Sequence, residues 1–554
     1  MKRLLSCAVV VLLGRLLAAG TAFAAPPATV TLTVLHTSDL HGHVHPQDAL
    51  ADKDWGEGLA RVAAAAREIR AEGHPTLLLD SGDTIEGAPE QAIAFAASAA
   101  APDPIIAAMN RVGYDAMAVG NHEFDFGRER LERSRREARF PFLSGNVRDG
   151  DRPAFDSYKV LTAGGVRVGV LGLTTPNVAS WESPSRLGGL RFTDSVEAAA
   201  RLVPILRGRE RSDLVVVLVH EGFEKDLDTG ADRGSGEENQ AYALATTVPG
   251  IDLLLTGHTH TVIEPRKLGG AWVSQPGRFG NTLTRFDVTF TRAGGRWTVA
   301  DIRGRNLPMK SVEPDPEIVR LAGPSHEAAM SALARSVARL GQPLSARFAR
   351  TEDTPLLDWL HALQRETGKA DLSFASLLPG MLPNWPAGDL TARQIWSFYP
   401  YENTLVTVRA TGRQVRQALE RAALCFSGLE PARDGVAWRR NPAVWGYNCD
   451  SMDGAEYAID PTRPEGERVL FLRRGGRDVA DDDSFLVALN SYRASGGGGY
   501  AVWRSCPRVF ESRESLRDLL IADAARRGEL SPKANENWFL APTLPEGPLR
   551  LPGN

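Results

Sequence analysis

Short apolar runs, each followed at once by a cluster of polar residues, recur through the first half of the chain. Residues 77–79 precede the sequence DSGD, which ends at Asp83, and residues 116–119 precede GNHEFD, which ends at Asp125. Short apolar runs bounded by turn residues are typical of buried strands. Because polar side chains at the end of a buried strand build a site and not a core, the pattern indicates a layered fold whose sheet edge carries chemistry.

Helical patterns alternate with these runs between residues 28 and 310. Amphipathic segments at 59–71 and 196–206 are the clearest examples, and the alternation predicts a layered α/β domain. Between residues 271 and 299 apolar residues alternate along the chain, which predicts strands joined by a Gly294-Gly295 turn. The predicted strands are residues 30–35, 76–79, 116–119, 166–173, 214–219 and 251–255.

The second half of the chain predicts a separate domain, because 554 residues are too many for one core. A Pro-bearing stretch at 307–316 leads into an Ala-rich helical pattern at 317–340, so we expect a linker helix within residues 311–345. An α+β domain is then expected over residues 346–554. In it, Thr411 and Gln414 form a capping-box pattern that predicts a helix start.

The first 24 residues have the features of a cleaved secretory signal: a basic start, an apolar run and a small-x-small ending at Ala24. A membrane anchor is the alternative, but Gly14 and Arg15 interrupt the run and leave it short for a bilayer. We therefore expect a periplasmic or secreted protein, without a membrane span in the mature chain. Its cysteines, Cys425, Cys449 and Cys506, allow one disulfide of undetermined pairing.

Composition limits the partners that the chain can have. Charged residues make up 24% of it, hydrophobic residues 43%, and the net charge is −4. This is neither the basic excess of a nucleic-acid binder nor the composition of a disordered chain. A nucleotide would therefore be a substrate and not part of a polymer partner, and nothing in the sequence determines the oligomeric state.

Five of the predicted strand ends supply metal-binding side chains. The carboxyl ends of strands in an α/β sheet share one edge, so these clusters are expected to converge. Imidazole and oxygen donors of this kind suit Zn, Mn or another divalent first-row ion, and seven donors fit two ions if one carboxylate bridges them. Taken singly, an Asp could be a helix cap and a His a satisfied core residue. The donors are Asp39, His41, Asp83, Asn121, His220, His258 and His260.

The ordered motifs D-x-H, G-D, G-N-H-E-x-D, H-E-G and G-H-x-H resemble those of the calcineurin-like metallophosphoesterases, and in particular the secreted 5'-nucleotidase family. The resemblance covers almost the whole mature chain and implies two divalent ions. It implies that one ion is held by Asp39, His41 and His260, and the other by Asn121, His220 and His258. Asp83 would bridge the two ions, and Asp80 would lie outside the ligand set.

The same resemblance implies the chemistry. Two cations lower the pKa of a shared water toward roughly 7, and the hydroxide attacks phosphorus in line. His122 would assist the leaving oxygen as a cation or acid. Asp125 would orient the imidazole of His122 and keep it protonated. The alternative for His122 is a third ligand or a bystander. Glu123 is expected to be structural, and three further histidines are expected at the surface or behind the ligands: His36, His43 and His45.

Aromatic residues on two loops of the second half are candidates for binding a nucleobase. Tyr401 and Tyr492 match the positions of the family's base-stacking aromatics, although both could also pack in the domain core. The family's N-G-G-x-R segment is absent near residues 373–380, and Gly498 stands where a ribose-binding Asp is usual. Residues 446–460 and 491–494 are similar to the 2',3'-cyclic-nucleotide 2'-phosphodiesterase/3'-nucleotidase branch, except that Cys449 replaces an aromatic residue.

These features predict a dinuclear metallophosphohydrolase that favours 2',3'-cyclic nucleotides and 3'-nucleotides. A 5'-nucleotidase or nucleotide-sugar hydrolase is the main alternative. A binding protein that keeps metal and nucleotide but lacks turnover is a second one, and a sulfur-compound hydrolase on the same scaffold is a third. The loss of the ribose-binding Asp favours the first prediction, since a substrate with phosphate on the 2' or 3' oxygen cannot offer both hydroxyls.

Overall fold

The computed structural model describes residues 28–98, 100–234, 236–378, 383–432 and 435–542. The predicted signal peptide lies outside the described residues. Within the described ranges, no helix is both long enough and apolar enough to cross a bilayer.

Two six-stranded sheets form the centre of the first half of the chain. In spatial order the first contains Arg296–Pro308, Thr282–Ala293, Thr29–Thr37, Thr76–Asp80, Ala116–Ala118 and Phe142–Leu143. The second contains Val262–Leu268, Ala271–Pro276, Leu253–Thr256, Leu214–His220, Val166–Thr174 and Tyr158–Ala163. Each predicted apolar run forms most of one of these strands, so the strand predictions are confirmed. The predicted turn at Gly294-Gly295 joins the edge strand Arg296–Pro308 of the first sheet to its neighbour Thr282–Ala293.

The two sheets pack face to face, and helices cover their outer faces. In Leu214–His220, the side chains of Val216 and Leu218 enter the core between the sheets, whereas Val215 and Val217 enter the core beneath the helices. Successive strand residues point to opposite faces, and both faces are buried here. This explains why the central strands are apolar throughout, without a polar alternation.

The predicted helices at 59–71 and 196–206 are confirmed as Leu59–Ala71 and Ser195–Gly208. They cover opposite sheets: the first contributes to the core outside the first sheet, the second to the core outside the second. The first domain is therefore a four-layer α/β/β/α fold. Its other helices are Pro89–Ala97, Pro104–Val112, Gly127–Glu137, Pro184–Leu187 and Ala241–Thr247.

The linker helix is Pro316–Ala334, which Asp315 caps by accepting from the N–H groups of Glu317 and Ile318. The helical prediction for residues 317–340 is wrong over its last residues. Ser336–Leu340 is a strand, antiparallel to Gly388–Thr391 and parallel to a short strand near the C terminus. Pairing with segments about 50 and 190 residues away overrides the local helical pattern, because sheet pairing depends on tertiary context.

The second half is an α+β arrangement around a five-stranded sheet. The capping box predicted at Thr411 and Gln414 is confirmed at the start of the helix Gly412–Ala423. The five strands are Ser451–Asp453, Leu372–Ala375, Ser484–Asn490, Thr404–Thr411 and Arg508–Ser515, and a second sheet contains Arg477–Asp478, Val469–Arg474, Glu456–Ile459 and Trp538–Leu540. The other helices are Pro355–Gly368, Ala392–Phe398, Ser491–Ala494 and Leu516–Arg527.

A disulfide joins Cys425 to Cys449, and Cys506 is a free, buried thiol. The sequence permits one disulfide, and the structure selects this pair. Cys449 therefore replaces the aromatic residue of the related branch with a covalent link.

Side chains of the second half contact the first domain beside its sheet edge. Arg504 donates to Ser180 Oγ at 2.7 Å, and Ser495 Oγ donates to the carbonyl of Glu182 at 3.2 Å. These bonds place the glycine-rich loop over the loops that follow the second sheet. The predicted metal ligands and the predicted aromatic residues therefore meet across one cleft. The predicted domain boundaries themselves stay predictions.

Candidate metal centre and substrate cleft

The donor residues lie in unusual backbone conformations at the strand ends. Asp39, His41, Asp83, His258 and His260 all have φ between 46° and 73°, and they are half of the ten non-glycine residues with positive φ in the described chain. Left-handed backbone is uncommon outside glycine and costs free energy, and it clusters at functional sites. Here it turns the chain away from the strand so that each donor side chain faces the others.

Two motif glycines are required because other groups occupy the space that a side chain would need. A Cβ on Gly120 would lie 2.2 Å from Asp83 Oδ1. A Cβ on Gly257 would lie 2.1 Å from Ser38 Oγ and 3.0 Å from Asp39 Oδ2. Close approach of backbone to donor carboxylates therefore explains the glycines in G-N-H-E-x-D and G-H-x-H.

The first donor set is Asp39, His41 and His260, whose ligand atoms all lie within 4.8 Å of one another. The Nε2 atoms of the two histidines are 3.0 Å apart, and His260 Nε2 is 3.4 Å from Asp39 Oδ1. Two imidazoles and a buried carboxylate converging on one point are suited to a divalent ion.

The second donor set is Asp83, His220 and His258, with ligand atoms equally close. His220 Nε2 lies 2.9 Å from Asp83 Oδ2. Burial disfavours the charged form of Asp83, but His220 and His122 outweigh it and hold the pKa of that carboxyl well below its ordinary value. Asn121 Oδ1 is buried and has no hydrogen-bond partner among the residues that the structure describes. A buried orphan oxygen beside these donors fits a metal ligand.

The second nitrogen of two of the predicted ligand histidines is held by the backbone. His41 Nδ1 lies 3.0 Å from the carbonyl of Glu86, and His220 Nδ1 lies 2.8 Å from that of Ser81. Since a carbonyl only accepts, Nδ1 carries the proton in both rings and leaves Nε2 as the lone-pair donor. The residues present therefore fit divalent ions at both donor sets.

His122 and Asp125 lie beside the donor sets. His122 Nδ1 is 2.9 Å from Asp125 Oδ2 and 3.4 Å from Glu86 Oε2, and its backbone N–H donates to Asp83. Burial opposes an imidazolium, but Asp125, Asp83 and Glu86 together raise the pKa of His122 well above its usual value. The arrangement orients a cationic imidazole toward the cleft.

The other acidic residues of the motifs, Glu123 and Asp80, support the loops. The Glu123 carboxylate accepts backbone N–H groups of Gly120, Asp83, Thr84 and Ile85. It thus ties two ligand-bearing loops together, as expected of a structural residue. Asp80 accepts from Thr37, Thr84 and the N–H of Gly82, and burial raises the pKa of Asp80 to about 7.

Three histidines within or just after the first strand of the chain were not predicted as ligands, namely His36, His43 and His45. His36 is buried, lies 2.8 Å from Ser81 Oγ, and burial lowers its pKa to about 3. The ring of His43 is tilted by 35° against that of Phe279, with centroids 4.2 Å apart. His45 stacks on His326 at 3.9 Å. His36 therefore lies behind the predicted ligands and not at the surface.

Tyr401 and Tyr492 lie in the cleft. Tyr401 is 38% exposed. Burial raises the pKa of Tyr401, and His122 and Glu86 of the first domain lie close enough to influence that pKa. Tyr492 is half-buried and close to Glu238 of the first domain. Burial raises the pKa of Tyr447, and Tyr492 and Tyr401 add to this effect. The three phenol groups are therefore close enough to influence one another, and Tyr447 was not predicted as part of the cleft.

The glycine loop has no room for a side chain at Gly498. A Cβ there would lie 2.2 Å from both the Arg493 guanidinium and Asn448 Oδ1. Arg493 is itself fixed by two bonds to Asp450, at 2.8 and 2.7 Å, and one to the Gly497 carbonyl at 2.7 Å. A buried arginine network thus occupies the space that a side chain at position 498 would need.

Two acidic residues of the site, Glu86 and Glu238, were not predicted from the sequence. Glu86 contacts His122, and Glu238 lies 2.9 Å from His258 Nε2. Glu86 follows Asp83 by three residues and so could have been included in the strand-end cluster. Glu238 is in a loop without a motif, and no sequence signal indicates its role.

Comparison with protein families gives two matches. The calcineurin-like phosphoesterase profile matches residues 32–262, and the 5'-nucleotidase C-terminal domain profile matches residues 332–504. The chain joins a calcineurin-like phosphoesterase domain to a 5'-nucleotidase C-terminal domain. It is therefore a metal-dependent phosphoric ester hydrolase, which confirms the predicted fold class and family.

Individual relatives agree with this assignment. The chain is 29% identical to the trifunctional nucleotide phosphoesterase protein YfkN of Bacillus subtilis over 93% of its length, but it spans only 39% of that protein. It is also 29% identical to the 2',3'-cyclic-nucleotide 2'-phosphodiesterase/3'-nucleotidase of Salmonella typhimurium, over 93% of this chain and 89% of the relative. A Staphylococcus aureus structure, described as a candidate 5'-nucleotidase, superposes with a TM-score of 0.81 at 25% identity, covering 92% of this chain and 99% of the other.

Proposed function

We propose that this phosphoesterase hydrolyses 2',3'-cyclic nucleotides and 3'-nucleotides with two divalent ions, of Zn, Mn or a similar metal. Asp39, His41 and His260 would hold one ion. Asn121, His220 and His258 would hold the other, and Asp83 would bridge them. The two convergent donor sets and the orphaned oxygen of Asn121 support this assignment.

When bound, such ions activate water and neutralise charge on phosphoryl oxygens. The residues of the chain supply the remaining steps. Asp125 holds His122 through Nδ1, so Nε2 is the nitrogen available to a substrate. We assign His122 the role of stabilising or protonating the leaving oxygen, a step that contributes about 100- to 10,000-fold in other enzymes.

Tyr401 and Tyr492 would hold the base. Stacking of a base on an aromatic ring is worth about 1–3 kcal/mol and tolerates any base. The clamp and the donor sets lie on different domains, so one substrate must bridge the cleft to use both.

The observation that carries the choice of substrate is the packing around Gly498. A 5'-nucleotide presents both ribose hydroxyls, for which a carboxylate in the glycine loop is a suitable partner, whereas a 2',3'-cyclic or 3'-phosphorylated ribose does not. Arg493 and Asn448 occupy the space that the Cβ of such a residue would need at position 498. The similarity to the Salmonella enzyme supports the same choice.

We further propose that the protein works in the periplasm or outside the cell. The Cys425–Cys449 disulfide supports this location, since disulfides persist in oxidising compartments. Cell fractionation followed by mass spectrometry of the non-reduced protein tests it. A reduced pair in a cytoplasmic fraction would contradict the location without affecting the proposed chemistry.

The activity is tested by measuring phosphate release and ring opening with the purified chain and added Mn²⁺, Zn²⁺ or Co²⁺. We expect higher kcat/KM for adenosine 2',3'-cyclic monophosphate and 3'-AMP than for 5'-AMP. Exclusive cleavage of 5'-AMP would show that the chain is a 5'-nucleotidase. No turnover with any metal would indicate a binding protein.

A further inference from the structure

His258 differs from the other ligand histidines in what holds its second nitrogen. His41 and His220 use Nδ1 to contact backbone carbonyls. His258 instead uses Nε2, which lies 2.9 Å from the Oε1 atom of the Glu238 carboxylate. The side chain of His258 is 12% exposed and that of Glu238 is 34% exposed. His258 is therefore held by a carboxylate at the edge of the cleft and not by a backbone carbonyl.

The loop that carries Glu238 is anchored at several points. The carbonyl of Glu238 accepts from Thr175 Oγ1 at 2.8 Å. The next two residues are bound to the segment directly after His220: the Asn239 side chain accepts from the N–H of Gly222, and the Gln240 N–H donates to Glu221 at 2.9 Å. The position of the carboxylate is thus fixed by the strand end that carries another ligand.

A neutral imidazole carries one proton, so the partner of one nitrogen decides the state of the other. An ionised carboxylate only accepts hydrogen bonds, and it therefore holds the proton of His258 on Nε2. The lone pair is then on Nδ1. One ring nitrogen of His258 lies within 4.8 Å of the ligand atoms of Asp83 and His220, and with Nε2 bound to Glu238 we take it to be Nδ1.

We propose that Glu238 is a positioning residue of the metal centre, which accepts the Nε2–H of His258 and so presents Nδ1 of that ring to the ion shared with Asp83 and His220. The inference rests on the two-ion part of the proposed function, and it adds a residue and a coordination mode. His258 would bind through Nδ1, whereas His41 and His220 would bind through Nε2. Carboxylates that hold a ligating histidine orient it and raise its basicity, and their loss lowers metal affinity roughly 10- to 100-fold.

The test is a titration of the chelator-stripped full chain with Mn²⁺, in which electron paramagnetic resonance counts the free ion and no substrate is present. The variants are Glu238→Ala and Glu238→Gln, whose amide oxygen can still accept from Nε2. Glu237→Ala is the matched control, because Glu237 lies in the same turn and is exposed. Circular dichroism of the metal-free variants verifies that they fold.

We expect the wild type and Glu237→Ala to bind two ions per chain. Glu238→Ala should keep one ion at wild-type affinity and bind the second 10- to 100-fold more weakly, and Glu238→Gln should regain most of that loss. Unchanged binding by Glu238→Ala would overturn the inference, as would a Gln variant no better than the Ala variant. A wild type that binds fewer than two ions would overturn the proposed metal centre and the inference with it. Failure of the nucleotide preference alone would leave these results unchanged.

Discussion

The metal-donor region and the aromatic cleft are built in different ways. The donors Asp39, Asp83 and His220 are at most 1% exposed and follow strands of two packed sheets. Tyr401 is 38% exposed, and it lies on a loop between a helix and a strand of the second half. One region is fixed by buried backbone. The other consists of a surface loop, which carries Tyr401, and the short helix Ser491–Ala494, which carries Tyr492 and had been predicted as a loop.

This difference separates the chemistry from the choice of substrate. Ligand geometry must be held within fractions of an ångström, and buried strand ends provide that rigidity. Loop residues can be exchanged at a smaller cost, because fewer buried contacts depend on them. We therefore expect substitutions among the donors to abolish turnover, and substitutions in the cleft to change substrate affinity.

The largest effect is expected for Asp83→Asn. The charge of Asp83 serves both donor sets in our account, so its loss should reduce metal content at both. Ions of this kind supply several kcal/mol of stabilisation, so turnover should fall by about 1,000-fold or more. Metal analysis by mass spectrometry, together with kcat, verifies this. Full metal content in the variant would show that Asp83 does not bridge.

His122→Ala should keep both ions but reduce kcat by about 100- to 10,000-fold, because it removes only the group that assists the leaving oxygen. His74→Ala is the control, since His74 is exposed and precedes the strand Thr76–Asp80, at the end opposite to Asp83. The comparison needs metal content and kcat from the same preparation. Near wild-type kcat would disprove the assigned role, and loss of an ion would indicate a ligand instead.

Tyr492→Ala and Tyr401→Ala should each raise KM for 3'-AMP by roughly 5- to 150-fold, which corresponds to the 1–3 kcal/mol of one stacking contact. Metal content should stay unchanged, and phenylalanine at either position should restore KM because it retains the ring. Steady-state kinetics measures this. If alanine leaves KM unaltered, the two rings are part of the core and do not bind the base.

The smallest effect on activity is expected at His361, which lies on the helix Pro355–Gly368 of the second half. It is buried and lies 3.0 Å from the hydroxyls of both Ser373 and Ser451, and burial lowers its pKa to about 4. The unfolded chain takes up this proton near pH 6.5, so stability present above that pH is lost as pH falls toward 4.

That loss amounts to roughly 3 kcal/mol for a shift of this size. His361→Asn should therefore show a smaller decrease in melting temperature between pH 7 and pH 4.5 than the wild type, with kcat at neutral pH unchanged. Thermal unfolding at the two pH values measures the difference. Equal decreases in both proteins would show that His361 does not contribute to acid sensitivity.

Much of this architecture could be predicted because the patterns are local. The helix Leu59–Ala71 and the strand Leu214–His220 follow from periodicity alone, since apolar residues recur at helical spacing in one and continuously in the other. The motif donors could be predicted because parallel strands end at one sheet edge.

What could not be predicted depends on contacts between distant segments. Ser336–Leu340 becomes a strand only through pairing with Gly388–Thr391. The disulfide of Cys425 and Cys449, and the contact of Glu238 with His258, likewise join residues that no local pattern relates. These elements are decided by tertiary structure, which a single sequence does not reveal.

The central claim is that both regions act on one nucleotide, and a crystal structure of His122→Ala with Mn²⁺ and adenosine 2',3'-cyclic monophosphate tests it most directly. Our account predicts two ions, with Asp83 between them, the phosphate beside both and the adenine between Tyr401 and Tyr492. A base bound elsewhere, or a phosphate away from the donor sets, would contradict it.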